Sequence, residues 1–284
     1  ERRAIREADA IVTVNGGVAA ELRRIAVPRR LVVVHNSTPM PTESIGGDHV
    51  EASPLRRAAG IPDSSPIALY HGSFAPGRGV EILAAAIREP GLEAVHAVFL
   101  GEGSGRAALE AAAADAVHGD RIHVLPPVDP AEVTAWVAGA DVGVMPIAPS
   151  TLNHRLSTPN KLFECLAAGV PVVASDFPGI REIVFVDPDA PLGVLVDPLD
   201  PSAGAEGIRS ILDLDPGAGA ALRDRCLRAA RERWNWEQES AGLLDLYADL
   251  APGTANAPGA PSAPSVEPLP QRITFALPSS GAFD

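Results

Sequence analysis

The run Ser157-Thr158-Pro159-Asn160-Lys161-Leu162-Phe163-Glu164 sets one cation and one carboxylate three residues apart. Thr158 suits an N-cap and Pro159 a first helical turn, so the pattern predicts a helix over 159–168. Such a helix opens with unspent backbone N–H groups and the positive end of its dipole, which together attract an anion. Asn160, Lys161 and Leu162 fall in that first turn, and Glu164 lies on the same face as Lys161. One helix end can therefore offer N–H donors and a cation to a diphosphate, and a carboxylate to ribose hydroxyls. The same spacing also suits an exposed Lys–Glu pair worth only about 0.3 kcal/mol. Lys161 is the only lysine among 23 basic residues.

Two further segments carry the residue types that phosphate chemistry needs. In Tyr70-His71-Gly72-Ser73-Phe74-Ala75-Pro76-Gly77-Arg78-Gly79, glycines let the backbone approach a ligand, and Arg78 supplies a permanent charge with forked donors. In Leu100-Gly101-Glu102-Gly103 a Gly-x-Gly turn follows an apolar run. Either turn alone is a common connection. Three such turns after separate strands are a stronger signal, because an open parallel sheet binds ligands at the carboxyl ends of its strands.

The elements that must position these turns follow from the patterning. Short apolar runs at 67–71, 95–100, 122–125, 141–145, 172–175 and 193–196 predict strands. Helical patterns at 79–88, 105–116, 130–138, 159–168 and 179–184 lie between them, and two more follow at 201–212 and 218–233. Strands separated by single helices predict an α/β fold with a Rossmann-like parallel sheet. Ahead of this unit, strands at 10–14 and 31–35 flank a helix at 18–25, a single β-α-β unit too small to bury a sheet alone. The expected organisation is a remnant of a separate domain with its connection over 1–50 and a ligand-binding domain over 51–233. A terminal helix at 234–250 and a proline-rich linker at 251–270 follow, and 271–284 read either as the start of a further domain or as a disordered tail. The chain opens on Glu1 rather than Met, so it reads as part of something longer.

Composition narrows the function. A formal charge of −13 argues against a nucleic-acid partner, which needs a basic face. No apolar run approaches the roughly 20 residues of a membrane span, so no transmembrane segment is expected. Cys165 and Cys226 lack metal-ligand spacing and read as buried thiols of a reducing compartment, which places the chain in the cytoplasm, or peripheral to the inner membrane. Asp187-Pro188-Asp189 has the form of a metal-binding Asp-x-Asp, but one such match is unremarkable among 36 acidic residues, and the seven histidines do not cluster. No metal is expected. His71 reads as a satisfied strand-end histidine, and Trp234 and Trp236 as packing for the last helices.

In their order along the chain, these turns resemble the carboxyl-terminal domain of family 4 glycosyltransferases, which have the GT-B fold. The likeness runs from about Ala8 to Leu250. It rests most on Phe163-Glu164 through Gly169-Val170-Pro171-Val172-Val173-Ala174, then on Gly179-Ile180-Arg181-Glu182-Ile183-Val184 and Gly193-Val194-Leu195-Val196-Asp197-Pro198. Ala8 to Asn15 and Val33 to Asn36 resemble the last strands of the acceptor-side domain. The resemblance implies retaining transfer of a sugar from a UDP- or GDP-linked donor to a glycan, lipid or small-molecule acceptor, with no metal or other cofactor. It implies that Glu164 holds the ribose and Arg78 the diphosphate, and that Gly101, Glu102, Gly103 and the 126–129 loop with Val128 lie near the nucleotide.

Two positions depart from the family pattern. A glutamate is common eight residues before Glu164, where this chain has Leu156, and a basic residue is common after the glycine matched by Gly72, where it has Ser73. Lys161 is the candidate to supply the missing phosphate charge, and His154 or Asn153 the missing sugar contact. The competing readings are a nucleotide-binding or scaffolding module without catalysis, and a sugar-nucleotide epimerase of the same fold.

Overall fold

Ile67 to His71 are all buried, an apolar run with no alternation, as a strand covered by helices on both faces requires. The computed structural model, which describes residues 1–41 and 53–251, places this strand inside a six-stranded parallel sheet. Its strands are β3 (Ile67–Ser73), β4 (His96–Glu102), β5 (Ile122–Leu125), β6 (Val142–Met145), β7 (Val172–Ser175) and β8 (Gly193–Val196). Two short strands, β1 (Ile11–Thr13) and β2 (Leu31–Val33), pair in parallel ahead of it. The helices are α1 (Arg2–Glu7), α2 (Gly16–Ile25), α3 (Pro54–Ala59), α4 (Val80–Ala86), α5 (Arg106–Ala113), α6 (Val133–Val137), α7 (Leu152–Leu156), α8 (Asn160–Ala167), α9 (Pro178–Val184), α10 (Pro201–Leu212), α11 (Pro216–Glu232) and α12 (Trp236–Leu250).

The sheet order is β5-β4-β3-β6-β7-β8, so the chain winds outward in one direction from β3 and then restarts at β6 on the other side. Helices α4, α5 and α10 pack together, and α3, α6, α8 and α11 form a second set. A reversal of winding between neighbouring strands opens a crevice at their carboxyl ends, here between β3 and β6. Tyr70 of β3, Phe74 just after it and Phe99 of β4 interlock with ring centroids 6.1–6.5 Å apart.

All six strands expected of the large sheet form, and both expected strands of the smaller unit. Helix ends moved where capping decided them. The helix expected from 218 starts at Pro216, because the Asp215 carboxylate accepts the N–H groups of Gly217 and Ala218 and proline suits the first turn. Helices α1, α3 and α7 have only five or six residues, too short to display an apolar period, and sequence patterning misses them. Residues 1–245 form one compact unit; the second, from Leu246, is described only through Ala251. The expected linker and further domain at 252–284, and most of the connection after Ser37, lie outside the described residues. Both cysteines are buried and unpaired, and no helix among the described residues is long and apolar enough to cross a membrane.

Candidate functional site

A cleft of about 590 Å³ opens at the carboxyl ends of β3 and β4, beside the point where the winding reverses. His71, Gly72 and Ser73 form one wall, and Leu100, Gly101, Glu102 and Gly103 the next. These are neighbouring strand ends in register, with Gly72 opposite Gly101 and Ser73 opposite Glu102. Pro127 and Val128 after β5, with Val133 of α6, close one side, and Glu164 of α8 enters from another. Glycine is obligatory at two positions for different reasons. A β-carbon on Gly101 would lie on the Gly72 carbonyl oxygen, and one on Gly79, whose φ is +84°, would lie on the Pro146 carbonyl oxygen. The first lets two strand ends meet; the second seats the loop after β6 on the turn that carries Arg78.

Helix α8 starts differently from expectation. Thr158 does not cap it: Pro159 is the N-cap residue, without a side-chain hydrogen bond, and the Thr158 hydroxyl instead accepts from the Asn15 amide at 3.1 Å. A distant partner outcompetes the local cap. Leu162, expected at the site, has its side chain wholly in the core and its N–H bonded to the Pro159 carbonyl. Asn160 is exposed, and its Oδ1 accepts from Asn36 at 2.9 Å, turning it toward the smaller β-α-β unit.

Lys161 and Glu164 do share a face of α8, yet they do not pair. The Lys161 ammonium lies 3.6 Å from the centroid of the Tyr70 ring and next to Gly72. Among the described residues it has no carboxylate partner. Burial, reinforced by the charge of Arg78, pushes it down to about 7. Glu164 Oε2 is 2.7 Å from His71 Nε2. Burial lowers the pKa of His71 despite this carboxylate, so a neutral ring donates its Nε2–H to Glu164 and fixes the carboxylate in the cleft. His71 is thus a satisfied strand-end histidine, and also part of the cleft wall.

Arg78 is half-buried, with no side-chain hydrogen bond or ion pair among the described residues. Its turn is locked by two backbone bonds of buried Phe74, to the Glu102 carbonyl and from the Gly105 N–H. Ser73 is exposed, and its carbonyl accepts the Tyr70 hydroxyl at 2.8 Å. His154 sits in α7 outside the cleft wall, bonded through Nδ1 to Ser150 Oγ at 2.8 Å and packed on Gly77 beside Arg78. The fold thus gathers Gly72, Ser73, Gly101, Glu102, Gly103, Val128 and Glu164 around one cleft, with Lys161 against Gly72 at its edge, while Arg78 acts on Lys161 by charge and His154 packs on Gly77. Leu100, Val133 and the Tyr70 ring went unforeseen; nothing in the sequence pairs Tyr70 with a lysine 91 residues away. Leu156 packs against Gly17, away from the cleft wall. Asp187 accepts the Asp189 N–H in a local turn, and no group of three potential metal ligands exists among the described residues.

Residues 65–214 match the family model described as glycosyl transferases group 1, and the chain belongs to that family. A D-inositol 3-phosphate glycosyltransferase of Xylanimonas cellulosilytica is 35% identical over 246 residues, covering 85% of this chain and 54% of the relative. One from Acidothermus cellulolyticus is 29% identical over 267 residues, covering 87% and 56%. The chain thus spans about half the length of the curated relatives it matches. Among solved structures, a sucrose-phosphate synthase from Thermosynechococcus elongatus superposes with a TM-score of 0.72 at 24% identity, over 88% of this chain and 60% of that one. Anabaena HepE, solved in complex with UDP-glucose, superposes at 0.69 and 18% identity, over 87% and 65%. The fold, with its six-stranded parallel sheet, matches part of the structure of GT-B glycosyltransferases.

Proposed function

We propose that this chain is the donor half of a retaining glycosyltransferase, whose cleft takes a UDP- or GDP-linked sugar and uses no metal or other cofactor. The observation that carries the reading is a pair of cations without carboxylate partners among the described residues: Lys161, against Gly72 of the cleft wall, and Arg78, whose charge acts on it. In this reading they hold the diphosphate together with the Asn160 and Lys161 amides at the start of α8. Glu164, fixed by His71, accepts from the ribose hydroxyls. The Gly101–Gly103 turn and Val128 receive the nucleoside, and His154 or Asn153 reaches the sugar. As the bond between sugar and diphosphate lengthens, charge grows on the departing phosphate, and cations already in place stabilise it without reorganising. Relatives named glycosyltransferases and a structural neighbour solved with UDP-glucose support the assignment. We assign a cytoplasmic setting on the strength of the two buried free thiols.

One observation favours a second reading. Leu156, where relatives of this type often carry a glutamate, packs on Gly17, which suits a module that binds nucleotide without transferring sugar. A thermal-shift panel of UDP-, GDP- and ADP-glucose tests the common ground. UDP- or GDP-glucose should raise the melting temperature of the 284-residue chain, and no rise with any of the three overturns both readings. Release of glucose from the bound donor by the whole protein then separates transfer from binding alone.

A further inference from the structure

Asn15 is fully buried, and both ends of its amide are committed. Its Oδ1 accepts the Val18 N–H at 2.8 Å and so caps α2. Its Nδ2 donates to the Leu156 carbonyl at 2.7 Å and to the Thr158 hydroxyl at 3.1 Å. One side chain therefore ties the β1–α2 turn to the link between α7 and α8, across more than 140 positions of sequence. The site is built for this contact. Gly17 leaves room beside Asn15 Oδ1 and the Leu156 side chain, and a β-carbon on Gly179 would crowd the Thr158 hydroxyl, the Leu156 carbonyl and Asn15 Nδ2.

The consequence concerns α8. The residue placed to cap it, Thr158, gives its hydroxyl to Asn15, and Pro159 contributes no side-chain cap. The first turn of α8 therefore takes its position from Asn15 rather than from its own cap. That turn carries Lys161. A second tie from the smaller unit, Asn36 to Asn160, reaches the same turn but is exposed and worth less.

We infer that Asn15 is a positioning residue for the diphosphate subsite: it sets the 156–158 link and thereby holds Lys161 where a diphosphate must bind. The inference rests on the proposed nucleotide-sugar reading. It makes the seating of the β1-α2-β2 unit a determinant of phosphate affinity and leaves the nucleoside end of the cleft independent of that unit.

Asn15→Asp separates the two roles of the amide, since a carboxylate still caps α2 but cannot donate to Leu156 or Thr158. Calorimetric titration of the full chain with UDP and with uridine should show UDP affinity falling roughly fivefold to tenfold and uridine affinity changing less than about twofold. In a Lys161→Ala background the same substitution should cause no further loss of UDP affinity, because its effect runs through that lysine. Equal losses for both ligands, or an undiminished loss in the Lys161→Ala background, would reduce Asn15 to a structural residue. If Asn15→Asp does not fold, Thr158→Val removes one of its acceptors and should lower the UDP-to-uridine affinity ratio about twofold; an unchanged ratio overturns the inference. Amide hydrogen exchange at 157–162 is read in parallel without ligand and should quicken in either variant. A wild-type chain that ignores UDP while this exchange still quickens would strike the functional reading and leave the hold of Asn15 on α8 standing.

Discussion

The two walls of the cleft are made in opposite ways. The wall formed by the ends of β3 and β4 is backbone: Gly72 and Gly101 meet in register so closely that no side chain fits between them. The wall formed by α8 is side chain: an ammonium on an aromatic ring, without an ion pair among the described residues, and a carboxylate held by a buried histidine. Steric demands shape the first, and electrostatics the second. Damage to the first should therefore be read in stability, and damage to the second in affinity and pH dependence.

The largest effect is expected where backbone meets backbone. Gly101→Ala places a methyl group on the Gly72 carbonyl and should cost about 2–4 kcal/mol of folding stability, measured by urea denaturation. A loss below about 0.5 kcal/mol would mean that the strand ends separate easily, and the contrast between the walls would weaken. Next comes Lys161→Ala, which should weaken UDP by about 1.5–3 kcal/mol and hardly touch uridine, because it removes a charge-assisted phosphate contact. Equal weakening of both ligands, or none, leaves Lys161 without a role at the phosphate.

Glu164→Gln should do the reverse at smaller scale. The amide oxygen still accepts from His71, so the fold persists, but one charged acceptor for the ribose is gone. UDP and uridine should weaken together by about 1 kcal/mol, roughly fivefold. A loss confined to UDP would move Glu164 to the phosphate end.

The smallest effect is the pH dependence. Burial, with Arg78 close by, pushes the Lys161 ammonium down to about 7 in the empty cleft. A bound diphosphate favours the charged form and raises that value, so binding takes up a proton above pH 7. UDP affinity should fall by roughly threefold to fivefold between pH 7 and 8. Lys161→Arg keeps its charge throughout and should flatten the slope. A slope that survives in the arginine variant belongs to another group.

How much of this was legible depended on the range over which each interaction acts. Strands of the large sheet were readable because each is a short apolar run between helical patterns, and the turns after β3 and β4 were readable because glycine, arginine and glutamate follow those runs directly. Legibility failed at α8. The Ser157-to-Glu164 run suggested a capped helix with Lys161 and Glu164 as neighbours on one face. The helix and the shared face are present, but each side chain found a partner elsewhere: Glu164 on His71, Lys161 over Tyr70, and Thr158 on Asn15.

By itself, then, the amino-acid order determined the alternation of strands and helices, the parallel sheet, and which three turns reach its carboxyl edge. These follow from apolar periodicity and glycine placement, which act over a few residues. Only the tertiary structure decided that α8 begins without its own cap, that its lysine makes no ion pair among the described residues, and that a buried asparagine from the β1–α2 turn holds the link before it. Those outcomes depend on which distant groups compete for the same hydroxyl, carboxylate or ring, and that competition is settled only once the chain has packed.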